Sequence, residues 1–83
     1  MQYRIGTVTH YYSKIKVAVV ELTGDLALGE KVKFVRGGED LFEQEVSSIQ
    51  SEHEKVATAE KGTVAGIKTI KAVKEGAEIY KLQ

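Results

Sequence analysis

The sequence predicts an all-β domain, and three observations predict it. In Glu30 to Arg36, Val32 and Phe34 alternate with Lys31 and Lys33, the period of a half-buried strand. That strand ends at Gly37-Gly38, and paired glycines supply the positive φ values that a two-residue hairpin turn requires. Upstream, the stretch Leu22 to Phe34 turns a corner between two strands and carries Leu26 and Leu28 inside the loop. A surface loop would not spend two leucines, so their simplest role is to plug one end of a β-barrel. The chain contains no proline to blunt edge strands, and closure into a barrel is the remaining device that protects them.

In order, Gln2 to Thr9 reads as the first strand, with Tyr3, Ile5 and Thr7 on one face and Gly6 and Val8 on the other. The apolar phase shifts between Ile5 and Val8, which marks Gly6 as a bulge or a close backbone approach. His10-Tyr11-Tyr12-Ser13 reads as a turn. Lys14 to Leu22 is the second strand, and Val17 and Val19 make it apolar on both faces for part of its length, as in a covered central strand. Glu30 to Arg36 is the third. Thr63 to Ile70, with Gly66 as another close approach, and Ala77 to Leu82 complete the set after a turn at Lys74-Glu75-Gly76.

Residues 40–61 support two readings. Phe42, Val46, Ile49, His53 and Val56 recur at helical spacing, with Asp40 as an N-cap, Glu43 three residues on, and Gly62 after the end. Against this amphipathic helix stands the Gly37-Gly38 turn, which after a good strand favours a hairpin and hence a further strand.

The corner stretch, with Leu28-Gly29-Glu30 followed by Lys31-Val32-Lys33-Phe34, resembles the second domain of the translational GTPases, the small β-barrel that follows the nucleotide domain in elongation factor Tu. Ile5-Gly6-Thr7-Val8 resembles that family's opening Gly-x-Val strand. Ala59 to Ile67 resembles its Ala-x-x-Gly-x-x-Val-Gly-Ile segment, and Val73 to Tyr80 its closing strand. The runs Val8 to Tyr12, Val19 to Thr23 and Phe42 to Val46 resemble small stand-alone elongation-factor-like proteins. The resemblance covers the chain from about Ile5 to Leu82. It implies a small closed six-stranded antiparallel barrel in which Phe42 to Gln50 is a long strand, bulged at Ser47-Ser48, with at most one short helical turn near Val56 to Ala59. At 83 residues the chain reads as a single domain, 1–83, which the resemblance makes a translation-factor-like barrel.

Composition narrows the function. An 83-residue domain needs nearly every large apolar side chain for its core, which leaves little to line a deep ligand pocket. Without cysteine there is neither a disulfide framework nor a thiolate metal site. No signal peptide and no apolar run of membrane-span length is visible, so a soluble cytoplasmic protein with no membrane partner is expected. Net charge is zero but uneven: residues 1–36 sum to +3, residues 37–60 to −6 and residues 61–83 to +3. The asymmetry allows one basic and one acidic face; a solvated mixed surface is the plainer alternative.

No motif carries catalysis. Gly24-x-x-x-x-Gly29 lacks the Lys-Ser/Thr of a P-loop and precedes a strand rather than a helix, so no nucleotide site is expected. His53-Glu54 lacks the second histidine of a zinc motif, and two histidines without cysteine make a zinc site improbable. Glu43 and Glu45 share a strand face about 7 Å apart, but nothing nearby would split their pKa values. No cofactor is expected. Tyr11 and Tyr12, beside Lys14 and Lys16, could stack on bases or simply pack a hairpin end. Lys31, Lys33 and Arg36 on one strand, with Lys68 and Lys71 on another, could bind phosphates. The expected function is therefore a non-enzymatic binding module, contacting ribosomal or transfer RNA or a protein of the translation apparatus as the resemblance implies. The alternative is a protein-interaction or assembly subunit, including a homo-oligomer, or an accessory domain to a separate enzyme outside translation, since similar barrels occur attached to reductases and peptidases.

Overall fold

A computed structural model describes residues 2–51 and 54–82, apart from the side chain of Gln2. Among the described residues ten strands run in order: β1 (Gln2–Tyr12), β2 (Val17–Leu22), β3 (Leu26–Ala27), β4 (Lys31–Arg36), β5 (Glu39–Glu45), β6 (Ile49–Ser51), β7 (Glu54–Val56), β8 (Thr58–Ala59), β9 (Val64–Lys68) and β10 (Glu78–Leu82). Eight form one antiparallel sheet in the order β5-β4-β10-β1-β2-β9-β6-β7, and β3 pairs with β8 in a separate two-stranded sheet.

The all-β expectation holds, but the closed six-stranded barrel does not. The main sheet is open, with β5 and β7 at its edges. The long strand expected over Phe42 to Gln50 is broken at Val46–Ser48, so its two halves become β5 and β6 in different parts of the sheet. The helical stripe over 40–61 is resolved by the same break. Phe42 and Gln44 face inward from β5, Val46 follows in the same phase, and the break then shifts the parity so that Ile49 also enters the core. His53, the remaining position of that stripe before Val56, lies outside the described residues. Val56 to Ala59 contains no helical turn; it ends β7, bends at Ala57 and enters β8. Among the described residues no helix is long and apolar enough to cross a membrane.

The chain forces this open sheet to curl. β5 and β6 stand six strand spacings apart in the sheet order, about 29 Å if the sheet were flat. Only three residues, Val46 to Ser48, connect them, and the four steps from Glu45 to Ile49 reach at most about 14 Å. Register shifts at Arg4/Gly6, Val8/His10 and Phe34/Val35 supply local bends of the kind bulges produce. Where the ends approach, a side chain takes the place of a ladder. The buried Gln44 amide on β5 donates from Nε2 to the Lys68 carbonyl (2.9 Å) and accepts from the Ile70 amide at Oε1 (2.9 Å).

The concave face buries Ile5, Val8, Ala18, Val20, Leu22, Val32, Phe34, Ile67 and Ile79, and Phe42 stacks on Phe34 with ring centroids 4.7 Å apart. Gly6 sits where a Cβ would lie 2.5 Å from Val20 Cγ1 and 3.0 Å from the Glu21 carbonyl, so the phase shift at this position reports a true close approach. The small β3–β8 sheet covers one end. Leu26 is 1% exposed and plugs it as expected, whereas Leu28 is 44% exposed and does not. The hairpin at Gly37-Gly38 is as expected, with φ of 61° and 80°.

If Gln44 closes the seam through hydrogen bonds rather than bulk, Gln44→Met should cost about 1–3 kcal/mol, the penalty for leaving buried backbone groups unpaired. Chemical denaturation gives the cost. Hydrogen exchange should then show the Ile70 amide losing protection before the amides of β1 and β2.

Candidate interaction face

The convex side of β1, β2, β9 and β6 carries the residues with the clearest unsatisfied surface. Antiparallel register lines them up in three rows across the sheet. Tyr12 lies beside Val17, which lies beside Lys68. His10, Val19, Gly66, Gln50 and Lys55 form the second row, and Glu21 and Val64 the third. Their inward neighbours Ala18, Val20, Ala65 and Ile67 are buried, so strand alternation places these residues outside.

The turn Ser13–Lys16 joins β1 to β2 at the end of the first row. The Thr69 amide donates to the Lys16 carbonyl (2.8 Å), pinning the turn to the end of β9, and Lys16 takes the left-handed region at φ 54°. Ile15 therefore stands above the sheet at 59% exposure, beside Tyr12 and near Val64, itself 53% exposed. Together with Val17, Val19, Gln50 and Gly66 they line an open groove of about 380 Å³. A second depression of about 300 Å³ shares Ile15, Val17, Gln50 and Gly66 and adds Ser48, Lys55 and Lys68. Gly66 gives the groove its depth, since a Cβ there would meet Val17 Cγ1 at 3.1 Å.

The expected site residues divide. Tyr12 and Lys68 line the groove and the depression beside it, and Lys14 and Lys16 flank Ile15 in the turn at its end. Tyr11 instead packs against the core, the hairpin-end reading. Tyr12 meets the His10 ring edge-on at 4.4 Å. Lys71 follows β9 in the loop beyond the first row. Lys31, Lys33 and Arg36 sit on β4, separated from β9 along the ladder by β10, β1 and β2, and across the seam by β5.

Nor is β4 a free basic face. Lys31 lies opposite Glu45, Lys33 opposite Glu43 and Arg36 opposite Glu39, so the hairpin folds the acidic segment onto the basic one. Lys33 is only 8% exposed, with Nζ 3.3 Å from Asp40 Oδ2, and Arg36 donates from Nε to the Glu75 carbonyl (3.3 Å). The groove residues Ile15, Val17, Val19, Gln50, Lys55, Val64 and Gly66 were not among the expected ones. Their signal was present in the two-faced apolar pattern of Val17 to Val20, read as burial on both sides when one side is open.

No family model matches the chain. Over 79 residues, 95% of its length, it is 35% identical to an uncharacterised protease of Methanocaldococcus jannaschii. The matched stretch is 19% of that protein, so the chain spans about a fifth of its relative. Among solved structures it is similar to the C-terminal domain of a Geobacillus thermoleovorans protein named as a U32 peptidase. The TM-score is 0.87 over 95% of this chain and 91% of that one, at 18% identity. A selenomethionine form of the same domain gives 0.85 over 93% and 96%, again at 18% identity. At that identity the likeness establishes the fold.

These matches overturn the resemblance to the second domain of elongation factor Tu and its relatives, and the translational role falls with it. The four short motifs that carried the resemblance consist of strand alternation around turn or close-approach glycines at positions 6, 29, 62, 66 and 76. Any small curled β-sheet needs such residues, so they report geometry rather than descent.

The different settings of the β4 lysines have a measurable consequence. Lys33→Glu would bury a carboxylate beside Asp40 and opposite Glu43, and is expected to cost about 3 kcal/mol in denaturant unfolding. Lys31→Glu, on an exposed position, should cost about 1 kcal/mol or less.

Proposed function

We propose that this chain is a non-catalytic accessory domain of a protease-like protein, and that it docks a polypeptide on the convex β1–β2–β9–β6 face. The observation that carries the reading is the groove itself. Ile15, Val17, Val19, Val64 and Tyr12 form a contiguous apolar surface on a domain too small to waste such side chains. In a polypeptide interface, apolar and aromatic side chains of this kind form the centre and charged residues the rim.

The relationship to a protease supports the accessory role. The match is confined to about a fifth of that protein, which leaves the larger remainder to carry its chemistry. The likeness to a domain at the C-terminal end of a U32 peptidase supports the same division of labour. Among the described residues, the ionisable side chains in contact pair acid with base across strands and turns, as in Arg4–Glu78 (2.9 Å), Lys81–Glu30 (3.1 Å) and the buried Lys33 with Asp40 (3.3 Å), an arrangement that ties strands together and sets no base beside a nucleophile.

The test is association in trans. The labelled chain is mixed with the Methanocaldococcus jannaschii relative from which the matching 79-residue stretch has been deleted. Amide shifts confined to β2, β9 and the Ser13–Lys16 turn are expected. Ile15→Glu with Val64→Lys, both at exposed positions, should weaken binding at least tenfold while leaving unfolding unchanged. Association that perturbs only β4 and β5, or none at 100 µM of each protein (about 5 kcal/mol of binding free energy), would remove the reading.

A further inference from the structure

We propose that the segment held in this groove is an extended strand of the catalytic body, with apolar side chains at alternate positions followed by carboxylates at the end nearest the Ser13–Lys16 turn. The proposal rests on the docking face described above and deepens it by naming the chemistry of the occupant.

Charge carries the argument. Lys14 and Lys16 flank Ile15 in the turn, Lys68 completes the first row beside Val17, and Lys55 closes the second row beside Gln50. All four are exposed, and among the described residues none has a carboxylate partner. The contrast within the same molecule is direct: Arg4, Lys33 and Lys81 each reach an acid within 3.3 Å. Among the described residues of the three rows the sole carboxylate is Glu21, at the opposite end beside Val64, and from outside the rows Glu75 reaches His10 at 3.0 Å. The groove is therefore apolar along its length and cationic at one end, and its complement is apolar with an acidic end.

Geometry sets the form of the occupant. The three rows lie two residues apart along β2 and β9, about 7 Å, the spacing between same-face side chains of an extended chain. Three alternate side chains of such a segment would sit over Val64, over the notch at Gly66 and over Val17 with Ile15. The next residues would then reach Lys14, Lys16 and Lys68. Branched aliphatic side chains dominate the lining, with Tyr12 as its one aromatic ring. A single-stranded nucleic acid needs successive aromatic faces to stack on; the other ring of these rows, His10, meets Tyr12 edge-on at one end and offers no second parallel platform along the groove, so the lysines fit carboxylates better than phosphates.

The test uses the intact chain and two blocked heptapeptides. Both carry leucine at three alternate positions; one ends in two glutamates and its twin in two lysines. A third probe is a single-stranded RNA oligomer. The acidic peptide should bind at least tenfold more tightly than its twin, shift the amides of Val17, Gly66 and Val64, and weaken as salt rises. Combining Lys16→Gly with Lys68→Gln should abolish the difference between the twins. Lys16→Gly relieves a left-handed backbone, so loss of selectivity cannot be blamed on unfolding.

Equal affinity for the twins would overturn the acidic occupant and leave the docking face standing. Failure of both peptides, while the deleted relative still binds, would overturn the extended-strand form. If neither the peptides nor the relative binds, the docking face itself is wrong. Tighter binding of the RNA, competing at the same amides, would assign the lysines to phosphate. Concentration-dependent dimerisation through Val64 would assign the groove to a second copy of the chain.

Discussion

The fold depends on one connection that is too short for a flat sheet. Val46 to Ser48 must join a strand at one edge of an eight-stranded sheet to the strand next to the other edge. The chain can meet that demand only by curling, and the curl produces everything else. It makes a concave face that excludes water and a convex face that does not. It also brings the end of β9 beside β5, where the side-chain amide of Gln44 pairs with Lys68 and Ile70 in place of a strand. A covalent link and two hydrogen bonds thus do at the seam what a continuous ladder would do in a barrel.

The same curl separates the two sides of β2 and β9. Ala18, Val20, Ala65 and Ile67 turn inward and are buried. Val17, Val19 and Val64 turn outward, where no described residue covers them fully. The turn at Ser13–Lys16, pinned to the end of β9 by the Thr69 amide, leaves Val64 exposed and adds Ile15 to the apolar surface. The end of β9 meets β5 at the seam through Gln44, yet Lys14, Lys16, Lys55 and Lys68 have no carboxylate partner among the described residues, while the basic residues of β4 are balanced across the hairpin.

Much of the strand architecture was legible because it depends on local chemistry. Alternation in Lys31 to Arg36, the glycine pair after it and the phase shift at Gly6 each have a direct structural counterpart. What was not legible depends on contacts between distant segments. Nothing in Phe42 to Gln50 announces a strand break, because the break is imposed by the position of β6 beside β9. Its change of parity imitates a helical spacing between Phe42, Val46 and Ile49. Lys33 reads as an outward strand residue, and it is; only tertiary structure reveals that the outward side is covered there. The groove was half legible. Tyr12, Lys14, Lys16 and Lys68 are recognisable from sequence as possible contacts, whereas Val17 and Val19 read as part of a covered strand because an open apolar face and a buried one have the same pattern.

The central claim is that the convex β2–β9 surface, and not the charged β4–β5 hairpin, is the working face. Photo-cross-linking decides it most directly. A benzophenone side chain placed at Val64 in one preparation and at Glu43 in another, each mixed with the deleted Methanocaldococcus jannaschii relative, samples the two faces without altering the core. The account predicts adducts from position 64 and none from position 43. Adducts from 43 alone would contradict it and place the working surface on the acidic hairpin.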